Sequence, residues 1–436
     1  MEYTLDRLGI VDLNAMQQDM LRYVRREKSI VLLSATGSGK TLAYLLPLLE
    51  LLDAQSQEVR ALVLVPSREL AQQTQAVLKQ LTPEVRSVAC YGGRPAMEEH
   101  RTIRQLHPHL IIGTPGRILD HIGKGNFSTQ YIETLVIDEF DKCLELGFRQ
   151  QMSAILAELH AVRRRILLSA TDSPGIPTFA GVESYRRLDY LDKDEQVPDR
   201  IALSIVHSPE KDKLQTLLNL LCVLGQQSSL VFVNYRESVE RVGDYLRQNG
   251  VSVDVFHGGM EQRDRERALF RFVNGSCNVF VSTDLASRGL DIPHVDNIIH
   301  YHLPLNKESY IHRNGRTARW DAQGCAYLIL GPTEQKPQYM DAEPDVFVMP
   351  ARIPQPSQPK WVTLYIGKGK KDKVNKVDIV GFLSKVGGLE QAEIGRIEVH
   401  PNWAYASVDR NCADAVLHRV KGQKIKGLKT IFSLAK

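Results

Sequence analysis

Short apolar runs recur along the first 330 positions, each followed by a polar or glycine-rich segment. Residues 29–33, 61–65, 86–91, 109–113, 134–137 and 165–168 have this form. Their length and β-branched content predict buried strands. The stretches opening at residues 42–48 and 67–71 predict helices. Strands and helices in alternation give a parallel sheet covered on both faces, and such sheets bind ligands beyond the carboxyl ends of their strands. Every run here hands over to a polar motif at that end. Ahead of the first run, a helix-like stretch is expected to end at residues 13–18. Polar residues 191–198 predict a linker. The alternation then restarts with runs at 229–233, 251–255, 278–281, 295–301 and 325–329.

Residues 350–360 hold four prolines in eleven positions, which predicts an extended, semi-rigid spacer. Beyond it the pattern changes. A strand at 361–366, a helix at 376–386, strands at 394–399 and 403–408, a helix at 413–420 and a strand at 430–434 give the order βαββαβ. The chain thus divides into an α/β domain at 1–192, a second of similar build at 200–349, the spacer at 350–360 and a small α+β module at 361–436.

Charge changes this picture more than composition does. The 436 residues are 43% hydrophobic and 24% charged, ordinary for a globular protein. No apolar run reaches 18 residues, so no membrane span is expected, and the first residues predict no signal segment. Six widely spaced cysteines without a CxxC pair argue against a zinc site or disulfide framework and fit a reducing cytoplasm. Residues 361–436, however, carry 14 Lys/Arg against 7 Asp/Glu, a balance of +7, whereas the rest of the chain stands at −3. A basic module on a near-neutral body points to a polyanion partner, with a solvated lysine-rich face as the bland account.

The chemistry starts at residues 34–41, Ser-Ala-Thr-Gly-Ser-Gly-Lys-Thr, between the first strand and a helix. A glycine-rich turn there points backbone N–H groups at a phosphate, and the helix dipole favours the anion. Thr36, Gly37, Ser38 and Gly39 would form the cradle, Lys40 would reach the β- and γ-phosphates, and the Thr41 hydroxyl would hold Mg²⁺. Ser34 stands where the strict pattern has glycine. Asp138-Glu139, after an apolar strand, supplies a Mg²⁺ carboxylate and a group to polarise the attacking water. Arg313, Arg316 and Arg319 lie three apart, suited to phosphate oxygens.

Taken together, these residues resemble the DEAD-box RNA helicases. Residues 34–41, Pro66-Ser-Arg-Glu-Leu70, Thr114-Pro-Gly-Arg117, Asp138-Glu-Phe-Asp141, Ser169-Ala-Thr171, residues 282–291 and His312-Arg-Asn-Gly-Arg-Thr-Ala-Arg319 occur in that family's order and approximate spacing. The resemblance covers roughly residues 8–330 and implies two tandem RecA-like parallel-sheet domains that hydrolyse ATP with Mg²⁺. It implies that Gln17 reads adenine, that Lys40, Thr41 and Asp138 hold the nucleotide and metal, and that Glu139 activates water. Asp291 would contact ribose, and Arg316 and Arg319 would act as arginine fingers when the domains close. Ser169 and Thr171 would link ATP state to RNA grip. Pro66, Arg68, Gly93, Thr114, Arg117, Gln262, Arg265 and Thr283 fall where the family contacts the RNA backbone, which gives little sequence preference.

The tail, through residues 364–372, 378–381 and 394–397, resembles the RNA-binding domain of DbpA-type helicases, an α+β RRM-like plan. Lys368, Lys370, Lys371 and Lys373 are the first candidates for phosphate contact there, with Lys421, Lys424 and Lys426 second. Trp403 and Tyr405 alternate on one strand, where they either stack bases or pack. Three positions depart from the family pattern. Phe140 replaces alanine beside the Ser169–Thr171 segment, and Asn314 replaces isoleucine. The aromatic residue that usually precedes the adenine-reading glutamine would fall before residue 1, so it is missing or the chain is short.

The resulting expectation is a monomeric, cytoplasmic, membrane-free ATP-dependent RNA helicase that melts short duplexes, held by its tail to ribosomal RNA and ribosome precursors in large-subunit assembly. The competing expectations are a general helicase on mRNA, an ATP-gated RNA clamp uncoupled by Phe140, and a DNA translocase.

Overall fold

The computed structural model describes all residues except 1–3, 36, 54, 94, 173–178, 183, 192–200, 288–291, 293–294, 316, 318–323, 341–342 and 436, and the side chains of residues 285, 287 and 308. Four expected site residues, Thr36, Asp291, Arg316 and Arg319, lie outside the described residues. The described chain forms two compact units, one before residue 192 and one after residue 200.

In the first unit, β1 (Ser29–Leu33), β2 (Ala61–Leu64), β3 (Ser87–Cys90), β4 (Leu110–Gly113), β5 (Thr134–Ile137), β6 (Arg164–Ser169) and β7 (Arg186–Asp189) form a parallel sheet in the order β3-β4-β2-β5-β6-β1-β7. Period-two alternation divides its apolar residues between two cores. Ile30, Leu32, Val63, Val136, Ile166 and Leu168 enter one. Val31, Leu33, Leu62, Leu64, Leu135, Ile137 and Leu167 enter the other. A strand buried on both faces must be apolar at every position, so these runs are continuous rather than alternating in sequence.

The opening helix differs from expectation. It runs over Ala15–Val24, after the predicted stop, because Asn14 caps it. The Asn14 side chain accepts from the Gln17 N–H at 2.9 Å, and the Gln17 side chain accepts from the Asn14 N–H at 3.0 Å. This reciprocal cap satisfies two donors that a helix start leaves unpaired.

The second unit repeats the plan with β8 (Ile201–His207), β9 (Ser229–Val233), β10 (Val253–Phe256), β11 (Val279–Thr283), β12 (Asn297–His300), β13 (Gly324–Leu330) and β14 (Asp345–Val346), all parallel, ordered β10-β11-β9-β12-β13-β8-β14. β7, β8 and β14 were not among the expected strands. β7 and β14 lie at sheet edges and are polar, exposed or very short, which hides them from an apolar-run search.

The same unit ends in an antiparallel sheet of β15 (Trp361–Ile366), β16 (Ile394–Val399), β17 (Ala404–Asp409) and, after the small hairpin β18 (Lys424–Ile425) and β19 (Leu428–Lys429), β20 (Phe432–Leu434), in the order β16-β17-β15-β20. Leu364, Ile366, Ala404, Ala406 and Val408 pack with the helices Lys376–Lys385 and Ala413–Val420. Trp361, Thr363, Tyr365, Tyr405 and Ser407 alternate with them and face the other way.

That second face is covered by the helix Gln262–Val273. Phe270 stacks on Tyr405 at 5.3 Å, and the Arg263 guanidinium lies 5.2 Å from the ring centres of both Tyr365 and Trp403. Asn274 Nδ2 donates to Thr363 Oγ1 at 3.0 Å, and that hydroxyl donates to Ser276 Oγ at 2.9 Å. Tyr405 is 1% exposed, so it packs rather than stacks bases. The proline segment also packs here. Gln226 Nε2 donates to the Gln358 carbonyl at 3.4 Å, Gln358 Nε2 to the Gly250 carbonyl at 2.9 Å and Arg410 Nε to the Pro359 carbonyl at 2.6 Å. Among the described residues, no helix is long and apolar enough to cross a membrane.

Candidate ATP and RNA sites

The sheet order divides the strand ends of the first unit into two groups. β1, β5 and β6 are neighbours, and the segments after them are the glycine-rich loop, Asp138-Glu139 and Ser169–Thr171. β3, β4 and β2 are neighbours too, and after them come Gly92-Gly93, Thr114 and Pro66. One end of one sheet thus carries both sets of expected residues, with nucleotide candidates on one half and RNA candidates on the other.

The loop after β1 turns through Gly37 (φ 83°) and Gly39 (φ 93°), conformations that favour glycine. A Cβ on Gly39 would also lie 2.6 Å from Gln17 Nε2. Gln17 Nε2 donates to the Gly39 carbonyl at 3.4 Å, and Asn14 Nδ2 to the Ser38 carbonyl at 3.0 Å. The helix cap that differs from expectation is therefore also the brace of the loop. Ser34 Oγ donates to Ser38 Oγ at 2.5 Å, and the Ser34 N–H to the Ser169 carbonyl at 3.1 Å. Lys40 is 7% exposed, with Nζ donating to the Ser34 and Ala35 carbonyls at 2.5 and 2.6 Å. Thr41 follows Lys40 in the first turn of the helix Lys40–Leu51.

Asp138 and Glu139 form the acidic wall. Asp138 is 2% exposed, and burial with the Glu139 charge beside it pushes its carboxyl up to about 7, while Lys40 pulls it down. The Glu139 N–H donates to Asp138 Oδ1 at 2.8 Å. Glu139 has φ 46°, a left-handed conformation that costs a non-glycine residue on the order of 1–3 kcal/mol. A buried carboxyl pushed up by burial, beside a second acid and a phosphate loop, fits a divalent cation, whose charge would favour the ionised form. Asp141 Oδ2 accepts from Thr171 Oγ1 at 3.1 Å, and Ser169 Oγ donates to the Thr171 carbonyl at 2.7 Å.

On the RNA half, Pro66 is buried and Arg68 opens the helix Arg68–Leu81, its guanidinium 3.5 Å from where a Gly92 Cβ would stand. Gly93 has φ 88°, and Thr114 starts the helix Pro115–Gly123. Arg117 pairs with Glu99 Oε2 at 2.8 Å, His121 Nε2 meets the same oxygen at 2.9 Å, and Glu99 Oε1 accepts from the Tyr91 N–H at 3.1 Å. One buried carboxylate thereby ties Arg117 to the strand end that carries Gly93. Cys90 joins this group, its thiol pushed well up by burial and by Glu99.

In the second unit, Gln262 and Arg265 lie in the first turn of the helix Gln262–Val273, Arg265 buried over the Phe256 ring at 4.6 Å. Thr283 ends β11, its hydroxyl accepting from the Ala286 N–H at 3.3 Å. Lys370 and Lys371 lie on a short turn after β15, beside Lys368, which pairs with Asp372 at 2.9 Å, and Lys373 (φ 59°).

Three family models match the chain in tandem: a DEAD/DEAH box helicase model over residues 14–176, a helicase conserved C-terminal domain over 212–321 and a DbpA RNA-binding domain over 363–433. The chain is 34% identical to the ATP-dependent RNA helicase DbpA of Escherichia coli K12 over 97% of its own length and 94% of the relative's. It is 30% identical to the same-named protein of Bacillus subtilis 168 over 97% and 95%. This chain belongs to the DbpA-type DEAD-box RNA helicases. Solved DEAD-box structures share its two-sheet plan. Mss116p bound to single-stranded RNA and AMP-PNP matches with TM-score 0.67 at 25% identity over 75% of this chain and 71% of that one. Saccharomyces cerevisiae Dbp5 bound to RNA and ADP BeF3 matches with TM-score 0.67 at 25% identity over 76% and 86%. The protein is an ATP-dependent RNA helicase with two RecA-like domains and a C-terminal antiparallel-sheet module.

The departures from the DEAD-box pattern now have surroundings. Phe140 is fully buried in the core, edge-on to Phe179 at 5.9 Å, while Asp141 makes the contact to Thr171. Asn314 is 3% exposed and bonds His300 Nε2 at 3.0 Å. Arg313, grouped by its spacing with Arg316 and Arg319 as suited to phosphate oxygens, is instead 1% exposed and grips Asp284 with Nε and one terminal nitrogen at 2.6 and 2.7 Å. It also donates to the His302 carbonyl at 2.7 Å and to Asn234 Oδ1 at 2.9 Å. The structural roles of Glu99 and Asn14 were missed. Arg313 and Glu99 act through contacts between distant segments, whereas the Asn14–Gln17 pair lies at the local spacing of a capping box, a signal that could have found it.

The same cluster predicts a pH dependence. Burial and the neighbouring Arg313 push His300 down to about 3, and the Asn314 bond opposes this only in part. Between about pH 6.5 and about 3 the unfolded chain carries a proton here that the folded chain lacks, so stability rises with pH through that window and is lost on acidification. At pH 4.5 the loss is about 2–3 kcal/mol. Urea unfolding of the whole chain at pH 7 and 4.5 should show the second unit weakening by that much more than in His300→Gln; equal weakening in both would refute it.

Proposed function

We propose that this helicase locally unwinds short RNA duplexes and is held by residues 361–436 to large-subunit ribosomal RNA of the 23S type during ribosome assembly. It works as a cytoplasmic monomer, on ribosome precursor particles, with domains at 1–192, 200–349 and 361–436 and the 350–360 segment between them. What supports the reading most is the division of one sheet end into a nucleotide half and an RNA half, with Asp141 and Thr171 hydrogen-bonded within the nucleotide half.

In this reading Gln17 selects adenine and Gly37–Gly39 cradle the phosphates, with Thr36 from the sequence. Lys40 leaves the loop carbonyls for the β- and γ-phosphates. The Thr41 hydroxyl and Asp138 carboxylate would hold Mg²⁺, which supplies positive charge to the phosphate oxygens. Glu139 orients and deprotonates the attacking water. Arg316 and Arg319 balance charge at the γ-phosphate and Asp291 contacts ribose, on sequence grounds. Pro66, Arg68, Gly93, Thr114, Arg117, Gln262, Arg265 and Thr283 hold RNA by its backbone, so the motor has little sequence preference. Lys368, Lys370, Lys371 and Lys373 hold the anchoring RNA.

The test compares stimulation of ATP hydrolysis by large-subunit ribosomal RNA fragments with bulk RNA of equal length. One fragment is expected to stimulate at least about tenfold better at limiting RNA, the effect of about 1.4 kcal/mol of extra binding. Equal stimulation would overturn the ribosomal target and favour a general helicase on mRNA. No stimulation by any RNA would leave an ATP-gated clamp.

A further inference from the structure

The helix Gln262–Val273 presents two well-separated faces. Gln262 and Arg265 lie on one. Arg263, Arg267, Phe270 and the following Asn274 recur at spacings of three and four, and this stripe meets the C-terminal sheet. The fit is incomplete at one end. Between the stripe and the free edge of the small sheet lies a cleft of about 690 Å³, within the range of about 300–1,000 Å³ common for ligand sites.

Its lining is both cationic and aromatic. Arg263 and Arg267 come from the helix, Lys421 from the segment after the helix Ala413–Val420, and Tyr365, Tyr405 and Phe432 from the sheet. Among the described residues, no Asp or Glu lines it. Arg267 also pairs with Asp264 at 3.1 Å, on the helix side of the cleft. Tyr365 and Phe432 are only half-buried, whereas Phe432 stacks on Phe382 at 5.0 Å with 7° between the ring planes, which holds its ring fixed. Arg263 lies against Tyr365 and Trp403, so its charge is held at the cleft by two aromatic faces.

We propose that this cleft is a composite subsite for single-stranded RNA, built jointly by the second RecA-like domain and the C-terminal module. Arg267 and Lys421 take phosphates, and the exposed parts of Tyr365 and Phe432 take a base. Fixed rings beside cations without acids suit a strand with π-faces and a charged backbone, whatever its sequence. The module thereby adds a second candidate RNA contact to the helix that carries Gln262 and Arg265. This subsite lies at the docked face and edge of the sheet, apart from Lys368–Lys373. It rests on the RNA reading of Gln262 and Arg265.

The test uses the full chain, a fluorescent decauridine and the double variant R267Q/K421Q, with K385Q, an exposed lysine on the helix Lys376–Lys385, as a charge control. Decauridine affinity should fall about tenfold in the double variant, and the slope of log affinity against log salt should become shallower by about 1.4, two phosphate contacts at about 0.7 each. K385Q should change neither. With 4-thiouridine in the probe, crosslinks should map to the peptides carrying Tyr365 and Phe432 in the unaltered chain. Unaltered affinity and slope in R267Q/K421Q, an equal loss in K385Q, or crosslinks elsewhere would each overturn the cleft while leaving the RNA reading intact. Failure of the unaltered chain to bind decauridine would overturn both.

Discussion

Glu139→Gln is expected to bind ATP and RNA as the unaltered chain does while RNA-stimulated hydrolysis falls by about 10²- to 10⁴-fold, the range for loss of a positioned general base. The substitution keeps size and hydrogen bonding and removes only the charge that accepts a proton. The Glu139 N–H that steadies Asp138 Oδ1 is a backbone group and survives. Loss of one of two adjacent acids also relieves the repulsion that helps push Asp138 up to about 7, so nucleotide binding should not weaken. Lys40→Ala gives the complementary result. Its ammonium, held by two loop carbonyls at 2.5 and 2.6 Å, is the positive charge of the cradle, so ATP binding itself should fail. Nucleotide and RNA titrations with single-turnover hydrolysis separate the two variants. Normal hydrolysis by Glu139→Gln would remove the base role from Glu139, and the strained φ of 46° would then need another reason.

The buried runs were legible because a sheet covered on both faces leaves no polar position in its strands, as in Leu62, Val63 and Leu64 of β2, each fully buried. The strand-end motifs were legible because phosphate chemistry constrains short, local spacings, as from Gly37 to Thr41. What escaped was decided by contacts between distant segments. Nothing around Glu99 signals that its two oxygens meet Arg117, His121 and the Tyr91 N–H. Tyr405 could equally have stacked a base. Its fate was set by Phe270, 135 positions earlier in the chain, coming to lie 5.3 Å away. The proline segment reads as an extended, semi-rigid spacer by composition, and in addition its carbonyls at Gln358 and Pro359 accept hydrogen bonds from Gln226 and Arg410. Proline content sets stiffness and leaves docking to the surfaces on either side. Polar β7 was invisible for the opposite reason, since an edge strand needs little apolar surface.

Arg313→Ala should destabilise the second unit by about 3–5 kcal/mol, the cost of leaving a buried ionic partner uncompensated. Arg313 is 1% exposed and its guanidinium reaches Asp284 twice, the His302 carbonyl and Asn234, with the Phe232 ring 5.1 Å beneath it. No shorter side chain reaches these groups together, and lysine lacks the planar fork, so Arg313→Lys should recover only part of the loss. The arrangement also bears on function. Asp284 opens the short helix after Thr283 at the end of β11, so the Arg313 fork fixes the strand end that carries an RNA candidate. Stability and function can be separated, because replacing both ionic partners costs far less than removing one. The pair Arg313→Met with Asp284→Asn should regain part of the stability in urea unfolding of the whole chain, the remainder being lost with the bonds to the His302 carbonyl and Asn234 Oδ1. It should still lack RNA-stimulated hydrolysis, since neither side chain holds the Thr283 end in register. A loss below about 1 kcal/mol in Arg313→Ala would show that the fork contributes no more than an exposed pair. Full hydrolysis in the double variant would show that Arg313 serves folding alone.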